Sequence, residues 1–254
     1  MNAQITATGN AGVHIAAGTG QIFIDAFWDP VPRVLGKLSG RGAEPLATPA
    51  MGADLILVTH AHWDHFSADR VVEAVGRTGA AVIGPLDVIR TLRGTLPDGL
   101  LTVLEPAEPR GAGPAATARV ELPEATVTAY RTRHGRGHNS YLVEMGGFRL
   151  FHDGDNEDAR LVDPASLGPV DALLLCPWQG SGWAEFVERL APRQWMLVHL
   201  SPDEIAAHQA GQFLPDLCES AEEAARLQAA GLLTPPRTIG PAPGEVWTSD
   251  GPAA

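Results

Sequence analysis

The chain has 254 residues, 44% of them hydrophobic, enough for a substantial core and too many for a disordered polymer. Eighteen Lys and Arg against 30 Asp and Glu leave a formal net charge of −12. That balance argues against a nucleic-acid or anionic-membrane binder, which needs a basic face. With only 2 cysteines, Cys176 and Cys218, no disulfide framework is indicated. No apolar run reaches spanning length, and Met1-Asn2-Ala3-Gln4 does not open a signal peptide, so a cytoplasmic protein is expected.

Residues 3–28 read as strands. Ala11–Ala16 and Gln21–Asp25 flank the turn signal Gly18-Thr19-Gly20 and predict a hairpin. His14, alone in its strand, is expected to be structural. Asp25 ends an apolar strand, where a carboxylate can brace the backbone or a ligand histidine. Residues 27–50 are rich in Pro and Gly and predict an irregular loop over Phe27 and Trp28. Leu55-Ile56-Leu57-Val58 is a buried strand. It leads into Thr59-His60-Ala61-His62-Trp63-Asp64-His65-Phe66, three imidazoles and a carboxylate within six residues. A helix follows, with Ser67 as N-cap, Asp69 in its positive first turn, and Val71, Val72 and Val75 on one face. Ala80–Gly84 is a strand and Pro85–Leu92 a short helix starting with Pro. Strand, loop, helix, strand is a βαβ pattern.

Residues 105–118 are low in complexity and predict a loop inside one domain. Thr126–Arg133 alternates as a strand and delivers His134. Ser140–Met145 and Phe148–His152, joined by Gly146-Gly147, form a second hairpin that ends in Asp153-Gly154-Asp155-Asn156. Val170–Cys176 is a continuous apolar run, hence a fully buried strand. An aromatic loop (Trp178, Trp183), a helix over 184–190 and the strand Gln194–Val198 lead to His199. Ser201/Glu204 and Ser220/Glu223 are capping boxes, and Glu245–Trp247 is a last strand.

Imidazole and carboxylate suit zinc, iron and manganese. In an extended strand end His60 and His62 point to the same side. Two ligand pairs this close suggest two metals. His60 and its neighbours, His134, Asp155 and His199 stand at four successive strand ends, and in layered α/β folds strand ends are where sites assemble.

This arrangement resembles the metallo-β-lactamase fold superfamily from about residue 9 to about residue 200. The match rests on His-x-His-x-Asp-His after a hydrophobic strand, a later histidine before the Ser140-Tyr141 strand, a Gly-Asp turn, and a late histidine after a hydrophobic strand. The resemblance implies a four-layer αβ/βα sandwich of two mixed β-sheets flanked by helices, in one domain over residues 1–254. It implies two divalent ions, zinc first, with manganese or iron compatible. His60, His62 and His134 would hold the first, Asp64, His65 and His199 the second, and Asp155 would bridge them. Asn156 departs from the family's usual Thr without touching the ligand. Either His134 or His138 fills the third motif, since Gly137-His138-Asn139-Ser140 resembles the Gly-His-Thr/Ser form of another branch. The one that is not a ligand is expected beside the ligands or facing substrate. With His134 as the ligand, His138 would be the donor to the leaving group.

Such a site implies a hydrolase of a small-molecule ester, lactone or phosphodiester. Asp64 would orient or deprotonate a bridging hydroxide. Trp63, Trp178 and Trp183 are candidate pocket walls. His152 is a candidate support for the Asp155 turn, His208 an exposed helix residue, and Cys176 a buried small hydrophobe. Nucleic acid and membrane are not expected as partners, and a homo-oligomer is compatible. Two alternatives remain: an iron-dependent oxidoreductase on the same fold, which the family's Glu-for-His62 exchange argues against, and a non-catalytic metal-binding protein.

Overall fold

Ile22, Phe23 and Ile24 are three consecutive buried residues that serve two different cores. Ile22 and Ile24 pack in one hydrophobic cluster and Phe23 in another. The same alternation recurs at Leu55/Leu57 against Ile56/Val58, and at Ala172/Leu174 against Leu173/Leu175. Side chains alternate across a strand, so a strand covered on both faces reads as an unbroken apolar run. The cluster shared by all these strands lies between two sheets. The other two lie between each sheet and its helices.

The computed structural model describes residues 3–29, 52–107, 115–135, 137–177, 180–233, 238–239, 244–249 and 251–252. The elements in chain order are β1 (Gln4–Gly9), β2 (Gly12–Ala17), β3 (Gly20–Ile24), β4 (Leu55–Leu57), α1 (Ala68–Thr78), β5 (Ala81–Gly84), α2 (Leu86–Leu92), β6 (Leu101–Val103), β7 (Thr117–Glu121), β8 (Thr126–Arg131), β9 (Asn139–Met145), β10 (Phe148–His152), α3 (Pro164–Leu167), β11 (Ala172–Leu175), α4 (Trp183–Leu190), β12 (Gln194–Leu197), α5 (Pro202–Gln209), α6 (Phe213–Leu217), α7 (Ala221–Ala229), β13 (Thr238–Ile239), β14 (Val246–Thr248) and β15 (Gly251–Pro252).

One sheet has the order β15-β14-β1-β2-β3-β4-β5-β6, and the other β13-β12-β11-β10-β9-β8-β7. Both are mixed. In the first, β15 to β3 run antiparallel and β3 to β6 parallel. In the second, β13 to β10 are parallel and β10 to β7 antiparallel. Two mixed sheets face to face with helices outside are the sandwich expected from the sequence.

Helix α1 buries Val71, Ala74 and Val75, spaced i, i+3, i+4, against the first sheet. Full burial of a Val is worth about 1.5–3 kcal/mol, so this stripe, rather than the exposed Arg77–Glu73 pair, docks the helix. Ser67 does stand at the N-cap position, but its side chain makes no capping bond. Its backbone N–H is instead bound to the Phe27 carbonyl. Pro85 is likewise the N-cap of α2 rather than its first helical residue. Helix α4 puts Trp183, Phe186, Val187 and Leu190 on the second sheet.

Four strands escaped the sequence reading: the two-residue β13 and β15 near the C-terminus, and β6 and β7. Strand β7 begins inside the stretch expected to be loop. Most of the loop over 27–50 and the candidate wall Trp178 lie outside the described residues. Among the described residues no helix is long and apolar enough to cross a membrane.

Candidate metal centre

Strand β4 stops at Leu57, and the segment after it carries the ligands. The backbone N–H groups of His65 and Phe66 both bond to the His62 carbonyl, a turn that swings Asp64 and His65 away from His62. The rings of His60 and His62 stay edge-on with centroids 4.4 Å apart, as expected for two residues on one side of an extended segment. His134 arrives beyond the end of β8 and places its Nε2 3.1 Å from His62 Nδ1. His60, His62 and His134 each offer a ligand atom within 4.8 Å of the others, and so do Asp64, His65 and His199.

Asp155 lies between the two groups. Its Oδ2 is 3.3 Å from His65 Nε2, 3.7 Å from His134 Nε2 and 3.4 Å from His199 Nε2. His199 Nε2 is in turn 3.2 Å from Asp64 Oδ2. His60 Nε2 is fully buried with no hydrogen-bond partner among the described residues. A buried imidazole nitrogen left unpaired costs free energy, whereas a cation beside it would satisfy it. The imidazole and carboxylate donors fit zinc, manganese or iron.

The ligands are braced from behind. Asp25 accepts hydrogen bonds from the Thr59 N–H (2.8 Å) and Thr59 Oγ1 (2.6 Å), and its Oδ2 is 2.8 Å from His65 Nδ1. Glu157 lies 3.0 Å from His134 Nδ1. Asn10 donates to the Asp64 carbonyl at 2.8 Å. Strand β9 pins the end of β4 across the sandwich: Tyr141 donates to the Val58 carbonyl (2.8 Å) and Asn139 N–H to the Thr59 carbonyl (3.0 Å). His152 donates from Nε2 to the Ala11 carbonyl, and its Nδ1 accepts the Gly154 N–H. It therefore supports the Asp155 turn. Three of the four described non-glycine residues with positive φ are Asn10, Asp25 and His199, so unusual backbone conformation concentrates where the ligands are held.

The electrostatics divide the site in two. Burial pushes the pKa of His60 down, His65 and His138 add to this, and the ring is held well below its ordinary value. Burial and His134 likewise lower His62. Burial also opposes charge on His65, but Asp155 and Asp25 outweigh it and raise His65 well above normal. His199 is raised as well, by Asp155 and Asp64 against its own burial. For Asp64, burial is outweighed by the hydrogen bond to His199 and the charge on His65, bringing it to about 2. Burial of Asp155 is outweighed by His65 and His199, which hold it well below the carboxylate range. In the first group His60 and His62 are thus held neutral, and the second is an anion–cation cluster.

His138 departs from its expected role. It is buried, its Nε2 accepts the Asp155 N–H (3.0 Å), and its Nδ1 is 2.8 Å from Thr132 Oγ1. Both ring nitrogens are engaged, so the ring has no atom left to protonate a leaving group. Gly154 permits this contact: at φ +60°, a Cβ there would lie 2.6 Å from His138 Nε2. Asp153 faces Ser140 and Asn156, away from the imidazoles. Trp183 is buried and stacks on Trp195, a packing role, and His208 is buried rather than exposed. Trp63 is 42% exposed beside His62 and Asp64 and marks the open side of the site. Sequence reasoning passed over Asn10 and Glu157. Gly9-Asn10 carries only the signal of a hairpin turn, and a glutamate two residues after Asp155 carries none.

A family model described as a beta-lactamase superfamily domain matches residues 21–217. A UPF0173 metal-dependent hydrolase from Thermococcus onnurineus is 29% identical over 205 residues, 75% of this chain and 81% of that protein. Igni18, a metallo hydrolase from Ignicoccus hospitalis, superposes with a TM-score of 0.61 at 17% identity over 98% of each chain. CmlA, a diiron β-hydroxylase from Streptomyces venezuelae, superposes with a TM-score of 0.59 at 14% identity, over 97% of this chain and 53% of its own. The last two share the fold, which by itself does not select a reaction.

Proposed function

Because the chain belongs to the beta-lactamase superfamily, we propose that this metal-dependent hydrolase works through two metal ions and cleaves an ester, lactone or phosphodiester bond of a small substrate. The observation that carries the binuclear reading is Asp155, whose Oδ2 lies within 3.7 Å of imidazole nitrogens from both ligand groups. In this reading His60, His62 and His134 hold one ion, Asp64, His65 and His199 the other, and Asp155 both. Zinc is favoured, and manganese or iron suits the same donors. Bound metal would supply Lewis acidity toward the scissile group and a water acidified to near neutral pH. The hydrogen bond to His199 and the charge on His65 favour the ionised form of Asp64, which is partly open to solvent. It can therefore orient such a water or accept its proton. Substrate would approach past Trp63.

Elemental analysis of the purified protein beside His60→Ala and Asp155→Ala tests this. Two zinc or manganese per chain, depleted in the variants, support the proposal and direct a screen of lactones, esters and phosphodiesters. Iron with oxygen consumption would point to an oxidoreductase instead. No metal after reconstitution would refute the centre.

A further inference from the structure

The turn between β1 and β2 reaches all three acidic and late ligands of the site. Asn10 Nδ2 donates to the Asp64 carbonyl at 2.8 Å and to Asp64 Oδ2 at 3.3 Å. The Asn10 carbonyl accepts the backbone N–H of His199 at 2.9 Å. The neighbouring Ala11 carbonyl accepts from His152 Nε2 at 2.9 Å, and His152 Nδ1 receives the Gly154 N–H at 3.0 Å, one residue before Asp155. Asn10 takes φ +51° and His199 φ +65°. Left-handed backbone suits Asn, and it lets one residue present its amide to Asp64 and its carbonyl to His199.

The other ligands are held elsewhere. Among the described residues, the side-chain hydrogen bonds of His60, His62 and His134 go to Thr59, to Glu157 and to each other. The contacts of Asn10 itself therefore fall on one half of the site. A single amide nitrogen bonded to both the carbonyl and the carboxylate of Asp64 limits rotation of that side chain. It also keeps Oδ2 beside His199 Nε2, 3.2 Å away. The amide is neutral and donates, so it supports the carboxylate without adding a cation that would compete with a metal.

We propose that Asn10 is a positioning residue that sets the affinity of the second metal position, formed by Asp64, His65 and His199, and leaves the first unaffected. The proposal rests on the binuclear reading above. The test is a cobalt(II) titration of metal-free full-length protein, followed by calorimetry and by the d–d absorption bands, in wild type, Asn10→Gly and Asn10→Asp. Both variants tolerate positive φ and keep the carbonyl bonded to His199. Gly removes the amide, and Asp replaces the donor with a carboxylate oxygen facing Asp64.

The expected result is a first equivalent bound as in wild type and a second bound about 10–100-fold more weakly, with Asp the weaker of the two variants. The second set of absorption bands should change and the first should not. Wild-type affinity for both equivalents in Asn10→Gly would overturn the proposal. So would an equal loss at both positions, or failure of both variants to fold, since either would make the turn a general structural element. A wild-type protein that binds fewer than two cobalt ions would instead overturn the binuclear reading itself.

Discussion

Asp25 and His65 meet at 2.8 Å between Oδ2 and Nδ1, both side chains fully buried. The same carboxylate accepts the N–H and hydroxyl of Thr59, the residue before His60. One acid at the end of β3 thus orients a ligand from each proposed metal position. Asp25→Asn keeps the shape and tolerates φ +47°, but its amide nitrogen turns one of three donors into a clash of donors. Metal affinity should fall about 10–100-fold, read by competition with a chromogenic chelator. An unchanged affinity would reduce Asp25 to a packing residue.

Metal and protons should compete for the second group. His65 and His199 have raised pKa values in the folded protein. Their contribution to the stability of the metal-free protein is therefore complete below the ordinary value of 6.5 and lost as pH rises through the folded values. Ligation needs neutral imidazoles, so metal affinity should rise with pH and loading should release protons. Urea unfolding of chelator-stripped protein should show stability falling as pH rises above the ordinary imidazole value of 6.5. Calorimetric metal titrations in two buffers of different ionisation enthalpy should report the protons released. Uptake of protons on loading would contradict the electrostatic division of the site.

Tyr141 couples the two sheets beneath the ligands. Its hydroxyl donates to the Val58 carbonyl and accepts from Asn139 Nδ2 at 3.1 Å, in a fully buried setting. Tyr141→Phe removes both bonds, although Asn139 Nδ2 keeps its bond to the Leu104 carbonyl at 2.6 Å, and should cost about 1–3 kcal/mol, measured by denaturant unfolding with and without metal. A cost below about 0.5 kcal/mol would mean that the sandwich relaxes to rebuild those bonds.

His138→Ala separates support from proton donation. If His138 only holds the Asp155 N–H, the acidic limb of the pH–rate profile should survive, and metal affinity should drop about 10–100-fold. Loss of that limb with full metal content would restore the donor role first expected from the sequence.

The ligand segment from His60 to His65 was legible because it is local. Six consecutive positions and a preceding apolar strand carry the whole signal. The choice between His134 and His138 was not legible. Both follow β8 in a stretch where Gly135 and Gly137 take positive φ, and what sets them apart is the contact of His138 with Thr132 and with the Asp155 backbone N–H. The role of Asn10 depends on a partner 54 positions away that no local pattern announces. Strands β6 and β7 were missed because each is short and only partly buried, which weakens the apolar alternation that marks a strand. The layered fold was legible for the opposite reason, since β3, β4, β11 and β12 are covered on both faces and write their burial into unbroken apolar runs.

Asp64 and His199 follow strands of different sheets, β4 and β12, and the segment joining them takes in more than half of the chain. A single ion gripped by both would close that segment into a ring, as a disulfide does in secreted proteins, and would stiffen the folded state by narrowing the unfolded one. Both described cysteines are free, so this cross-link would be of a kind the chain does not otherwise possess. It could be opened by a chelator rather than by a reductant.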